Sequence, residues 1–183
     1  MYMQNWYQTD KSQSFFYLQV YKPKINGGYI VNMEVINFYG AIFILTVLVP
    51  NVIFAAKHKA AFENPYHNKI IEIAEQIGRF SSFIFMIISL PIVCRGYWFN
   101  GAKTAYIIIG ALLVVLYLAG WAVFWNESSV RKSLVLSVLP SLLFLSSGLF
   151  TLNIPLLIAA AVFTPCHIII SYKNAVLQNQ NDN

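Results

Sequence analysis

Charge is scarce in this 183-residue sequence. Only 10% of residues are Asp, Glu, Lys or Arg, against about 25% in an ordinary soluble domain. So few charged side chains cannot clothe a water-facing surface of this size. The formal net charge is +5, but the basic residues are scattered. No Lys/Arg block or basic helix face forms, and the footprint of a nucleic-acid binder is missing. Cysteine is nearly absent too. Cys94 and Cys166 have no CxxC partner, so neither a redox nor a zinc framework is encoded. Both read as small buried hydrophobes. No cofactor motif appears, and no cofactor or metal is expected. Residues 1–32 lack the apolar core of a signal peptide, because Phe15-Phe16-Tyr17-Leu18 is too short.

Those first 32 residues stand apart from the rest. They are polar and aromatic, with Gln4, Asn5, Gln8, Asp10 and Lys11 near the start. Gly27-Gly28 can be encoded by a purine run that resembles a ribosome-binding sequence. Met33-Glu34-Val35-Ile36 then leads into an apolar run. The expectation is that translation starts at Met33 and that residues 1–32 are not part of the natural protein. The wealth of Asn, Lys, Ile, Tyr and Phe fits an AT-rich bacterial genome.

What is abundant is apolar sequence. Hydrophobic residues make up 58% of the chain and aromatic residues 16%. Apolar runs follow one another at about 35–56, 72–94, 104–125, 133–150 and 154–171. About 20 apolar residues suffice to cross the hydrocarbon core as a helix. The predicted architecture is therefore an all-α polytopic transmembrane bundle of about five spans, with a polar C-terminal tail over 173–183. The linker Thr151-Leu152-Asn153 is so short that the last two spans must be antiparallel neighbours. Tyr97-Trp98-Phe99 and Trp121/Trp125 mark membrane interfaces.

Lys57, Lys59, Lys69, Arg131, Lys132 and Lys173 collect on one side of this topology. Arg95 and Lys103 lie on the other, with Lys22 and Lys24 if the tail is present. The positive-inside rule puts the richer side in the cytoplasm, N-terminus out and C-terminus in. The bacterial cell membrane is the expected location and the lipid bilayer the first partner.

One stripe of polar residues carries the best candidate site. Glu72, Glu75, Gln76 and Arg79 fall at i, i+3, i+4 and i+7, one face of a helix. Ile70, Ile73, Ala74 and Ile77 occupy the other face. Glu75 precedes Arg79 by four residues, the favourable order for a helical ion pair. Charges entering a bilayer are costly and usually face a bundle interior or wet cavity. In the functional reading Glu75 is the acid or cation ligand and Arg79 the anion contact for a lipid headgroup or small polar ligand. In the structural reading the stripe is an amphipathic first turn at the interface. Gly78 permits close approach of a neighbouring helix.

His167 is the single histidine within a span and a functional candidate by its position. It lies two residues after Pro165, which frees a backbone carbonyl one turn earlier. His58 and His67 share a loop with Glu63, but their spacing matches no tight metal-ligand pair. Ser133, Ser137 and Ser141 recur every four residues and read as helix packing. Pro50, Pro91, Pro140 and Pro165 predict kinked helices and allow a central cavity.

Two short segments resemble a known family. Glu75-Gln76-Ile77-Gly78-Arg79 resembles the second half of the EExxxR motif of CAAX-protease-like intramembrane proteins, with Ala74 at the first Glu. Phe163-Thr164-Pro165-Cys166-His167 resembles their FxxxH motif. That resemblance implies a hydrolase in which Glu75 and His167 act around a water. More broadly, Met33 to Leu90 resembles small uncharacterised multi-pass membrane proteins of low-GC Gram-positive bacteria. The carrying residues are Asn37-Phe38-Tyr39-Gly40, Pro50-Asn51, the Lys-rich loop and Glu75 to Arg79. This resemblance implies fold and location and brings no activity.

Three functions follow. The first is a non-enzymatic membrane protein that binds a lipid or small polar ligand, or serves another membrane protein as a subunit. Its site would be Glu72, Glu75, Gln76, Arg79 and His167. The second is a small transporter or channel component. The third is the intramembrane hydrolase.

Overall fold

The computed structural model describes residues 35–57, 65–90, 94 and 96–181. The proposed start at Met33, the tail before it, His58, Glu63, Pro91 and Arg95 lie outside the described residues. Within them the chain is an all-α bundle of five helices: α1 Phe38–Lys57, α2 Lys69–Ile87, α3 Ala102–Val123, α4 Val130–Phe150 and α5 Ile154–Asn181.

Each helix start has a local cause. Asn37 Oδ1 accepts from the Gly40 amide at 3.0 Å ahead of α1. Asn68 caps α2 by accepting from the Ile71 amide at 3.3 Å, and its own amide donates to Glu72 Oε1 at 3.1 Å. This reciprocal pair satisfies two otherwise orphaned donors. Ser129 Oγ accepts from the Lys132 amide at 3.2 Å at the start of α4. Asn153 Oδ1 accepts from Leu156 at 3.1 Å at the start of α5. Leu152, in the left-handed region at φ 44°, closes the α4–α5 turn.

Neighbours alternate in direction, and short backbone links tie one end of the bundle together. The Asn37 amide donates to Ile87 O at 2.7 Å, and the Ser89 amide to Val35 O at 2.8 Å. The start of α1 therefore lies beside the end of α2. Asn153 Nδ2 donates to Phe85 O at 2.7 Å, and Asn37 Nδ2 to Tyr106 Oη at 3.0 Å. The basic residues Lys57, Lys69, Arg131, Lys132 and Lys173 gather at the opposite end.

Four helices, α1, α3, α4 and α5, are long and apolar enough to cross a membrane. The fifth expected span differs from them. α2 ends at Ile87 rather than near Cys94, and Ile88 is already extended. Its 19 residues reach about 28 Å at 1.5 Å per residue, but they include Glu72, Glu75 and Arg79. The arrangement of α2 is inside-out relative to a water-soluble amphipathic helix. Glu75, Gly78, Ser82 and Met86 are buried, while Ile70 is 81% and Ile77 62% exposed, with Ile73, Phe80 and Ile84 also outward. Large apolar side chains pointing outward all along a helix are what lipid, not water, accepts. The protein is a membrane-embedded bundle.

The C-terminal end also departs from expectation. Residues 173–181 of the expected polar tail are not separate from the bundle; they continue α5 for more than two turns. Asn174 Oδ1 accepts from the Tyr66 amide at 3.0 Å, and Ala175 is buried. The sequence there is polar because it covers the bundle's end beyond the apolar zone.

α2 and α5 form one of the two closest-packed helix pairs, the other being α4 with α5. Gly78 makes the first possible, because a Cβ there would lie 2.8 Å from the Phe163 backbone nitrogen. Gly78→Val is expected to cost about 1–3 kcal/mol by overpacking a backbone contact. Lipid-facing Ile77→Val should change little. Thermal unfolding of the two purified variants in detergent measures the difference, and equal Tm values would remove the crossing as a constraint.

Candidate functional site

The polar stripe of α2 does not act as one surface. Glu72 is taken up by the cap at Asn68. Gln76 is exposed on the outer side. Glu75 alone turns fully inward, at 2% exposure, and Arg79 follows it one turn later. The interfacial alternative, with the whole stripe facing outward, does not describe Glu75.

A carboxylate buried this deeply needs compensation, and it has two partners. Arg79 Nη2 donates to Glu75 Oε1 in an i,i+4 ion pair. His167 of α5 meets the same oxygen through Nδ1 at 2.9 Å. An ionised carboxylate only accepts, so His167 carries its proton on Nδ1. The imidazole is held in place by stacking on Phe163, with ring centroids 4.5 Å apart and planes 21° off parallel. Phe163 is the residue whose backbone meets Gly78. One close helix crossing thus delivers the histidine to the carboxylate.

Arg79, Phe163 and His167 form part of the wall of a cavity of about 340 Å³. α1 contributes Asn51 and Phe54; α3 Tyr117 and Trp121; α4 Lys132, Ser133 and Ser137; α5 Asn174 and Gln178. Asn51 Nδ2 donates to Tyr117 Oη at 2.8 Å, tying α1 to α3 along the wall. Phe83, Pro140, Phe144 and Phe163 close the apolar side. None of the side chains that link the opposite end (Asn37, Tyr106, Asn153) lines it. Glu127 and Ser128 bring its wall out to the end of the bundle that carries the basic residues.

The remaining sequence candidates do not join the Glu75 cluster. His67 is exposed in the loop before α2. The serine ladder bonds its own helix: Ser137 Oγ donates to Leu134 O at 3.1 Å and Ser141 Oγ to Ser137 O at 2.8 Å. Such back-bonding engages the hydroxyl proton that a nucleophile would surrender. The most important residue the sequence reading passed over is Lys132. It appears there only as a marker of orientation, whereas its ammonium lies in an aromatic corner, 4.3 Å from the Phe54 ring centroid and 5.3 Å from that of Trp121. Lys132 Nζ donates to Trp125 O at 3.3 Å.

Comparison with family models, curated proteins and solved structures found no match. The two short resemblances therefore stand on their own residues, and the geometry must carry the chemistry. It offers a fixed carboxylate–imidazole–guanidinium cluster at one wall and a lysine in an aromatic corner at another.

Arg79→Ala leaves the buried carboxylate with His167 alone. The expected cost is about 2 kcal/mol, below the usual range for breaking a buried pair, because the Arg79 side chain is 35% exposed. Glu75→Leu combined with Arg79→Leu should cost less than the sum of the two single changes. Denaturation of the four proteins in detergent supplies the cycle. Simple additivity would show that the two side chains are uncoupled.

Proposed function

We propose that the protein is a non-enzymatic membrane protein of the bacterial cell membrane. It binds a lipid or small polar ligand in the cavity between its helices, reached from the cytoplasmic side. One observation carries this reading. The cavity reaches the basic end of the bundle, is apolar along one side and is lined elsewhere by fixed polar groups. Its size falls within the range of about 300–1,000 Å³ usual for small-molecule sites. Asn51, Arg79, Tyr117, Lys132 and His167 supply the few oriented polar contacts such sites use.

The lining also weighs against the alternatives. A transporter or channel needs a route to both faces, and Asn37, Tyr106 and Asn153 at the opposite end do not line the cavity. The hydrolase reading is favoured by one contact, that between Glu75 and His167. At 2.9 Å these atoms touch directly, with no room for a water between them, and Arg79 holds the same carboxylate oxygen. The cluster explains a rigid wall better than a hydrolytic centre.

Native mass spectrometry of protein released from its own membrane in mild detergent tests the binding reading. Wild type should carry a ligand of defined mass. Ser133→Trp, which fills the cavity from α4, should lose it. Ser146→Trp, outside the lining, should keep it. Identical spectra for all three would overturn the proposal. Orientation has a separate test. With Cys94 and Cys166 replaced by Ser, a cysteine at Lys173 should react with an impermeant maleimide only after cells are permeabilised. Labelling of intact cells would reverse the topology.

A further inference from the structure

We propose that the ligand's head group is an anion, a phosphate or carboxylate, and that Lys132 rather than Arg79 is its principal contact. This rests on the cavity being a binding site and adds the charge class of what it takes.

The two cations of the cavity wall are differently placed. Arg79 is neutralised by Glu75. Lys132 is 9% exposed, yet no carboxylate lies within ion-pair distance of it among the described residues, whose ion pairs are Arg79–Glu75 and His167–Glu75. Glu127, an exposed residue of the same wall, is the carboxylate that acts on Lys132 electrostatically, from beyond ion-pair distance. Lysine has three ammonium donors, and one of them meets Trp125 O. The faces of Phe54 and Trp121 attract the cation but leave its charge in place. A buried charge without a counter-ion in contact is costly.

The position of Lys132 in α4 sharpens the case. It stands in the first turn, after Arg131, with no acidic residue in that turn. The start of a helix already carries partial positive charge and favours anions. Two basic residues there oppose the dipole. An anion bound in the cavity would balance Lys132 and the helix end together. The adjoining apolar wall of Val47, Leu48, Leu136 and Phe144 suits an attached hydrocarbon. A lipid headgroup and a free phosphate share the required chemistry and differ in that wall.

Trp121 and Trp125 beside Lys132 provide the readout. The full-length protein in a neutral maltoside detergent is titrated with decyl phosphate, decyltrimethylammonium and inorganic phosphate while tryptophan emission is followed. Decyl phosphate should give a saturable change, weakened about tenfold or more in Lys132→Gln, the effect of removing a charge-assisted hydrogen bond, and largely restored in Lys132→Arg. Inorganic phosphate acting at similar concentration supports a soluble anion. Activity of decyl phosphate alone supports a lipid headgroup. Unchanged decyl phosphate binding by Lys132→Gln overturns the proposal, as does equal competition by decyltrimethylammonium. Should Lys132→Gln fail to fold, the anion-against-cation competition on wild type decides alone. A ligand retained in native mass spectra with no anion preference would sink this inference and leave the cavity reading standing.

Discussion

The structure depends on a single buried carboxylate. Glu75 is at 2% exposure in a protein whose outer surface is apolar, and a charge in that setting cannot simply turn outward to be solvated. It has to be satisfied from within. Arg79 satisfies it along α2 and His167 from α5. The second contact requires α5 to lie close, and the missing side chain at Gly78 allows that approach. Charge, glycine and histidine are therefore one constraint, spread over two helices more than 80 residues apart in sequence.

Lipid as solvent explains why α2 looks reversed. In water, Ile70, Ile73, Ile77, Phe80 and Ile84 would form the buried stripe and Glu75 would face out. The opposite holds here. Helix association in lipid gains little from hiding apolar surface, so small residues and polar contacts decide the interface. Ser82 and Met86 continue the face that Glu75 and Gly78 begin. The same reasoning explains why Asn51–Tyr117 and Asn37–Tyr106 link α1 to α3 by hydrogen bonds.

Much of the fold was legible in the sequence because its signals are local. Apolar run length gave the all-α bundle and the short turn at Leu152 gave the antiparallel pair. Spacing placed Glu75 and Arg79 on one face and gave Gly78 its packing role. Other features are set by tertiary context and left no local trace. α2 stops at Ile87 because the chain pairs with Val35 and Asn37, partners some 50 residues earlier. α5 runs through polar residues to Asn181 because Tyr66 and the bundle end receive it. The four-residue stripe predicted one surface, but a helix cap claimed Glu72 and the α2 rotation set by Gly78 turned Gln76 away. His167 was singled out for lying within a span; its partner could not be named from spacing alone.

Arg79 and Lys132 show why residue type underdetermines a site. Both are basic, both lie on the cavity wall and both would read from sequence as headgroup contacts. Arg79 is one helical turn from an acid, and its planar head suits a fixed carboxylate. Lys132 is near aromatic rings and a helix start, neither of which carries a formal negative charge. The same positive charge is therefore ion-paired in one case and without a contacting carboxylate in the other. In an apolar bundle this difference has consequences, because a cation with no carboxylate in contact leaves its remaining donors for an anion that enters from outside. The position of Lys132 against Phe54, Trp121 and the start of α4, more than the charge count of the chain, points to where that match would form.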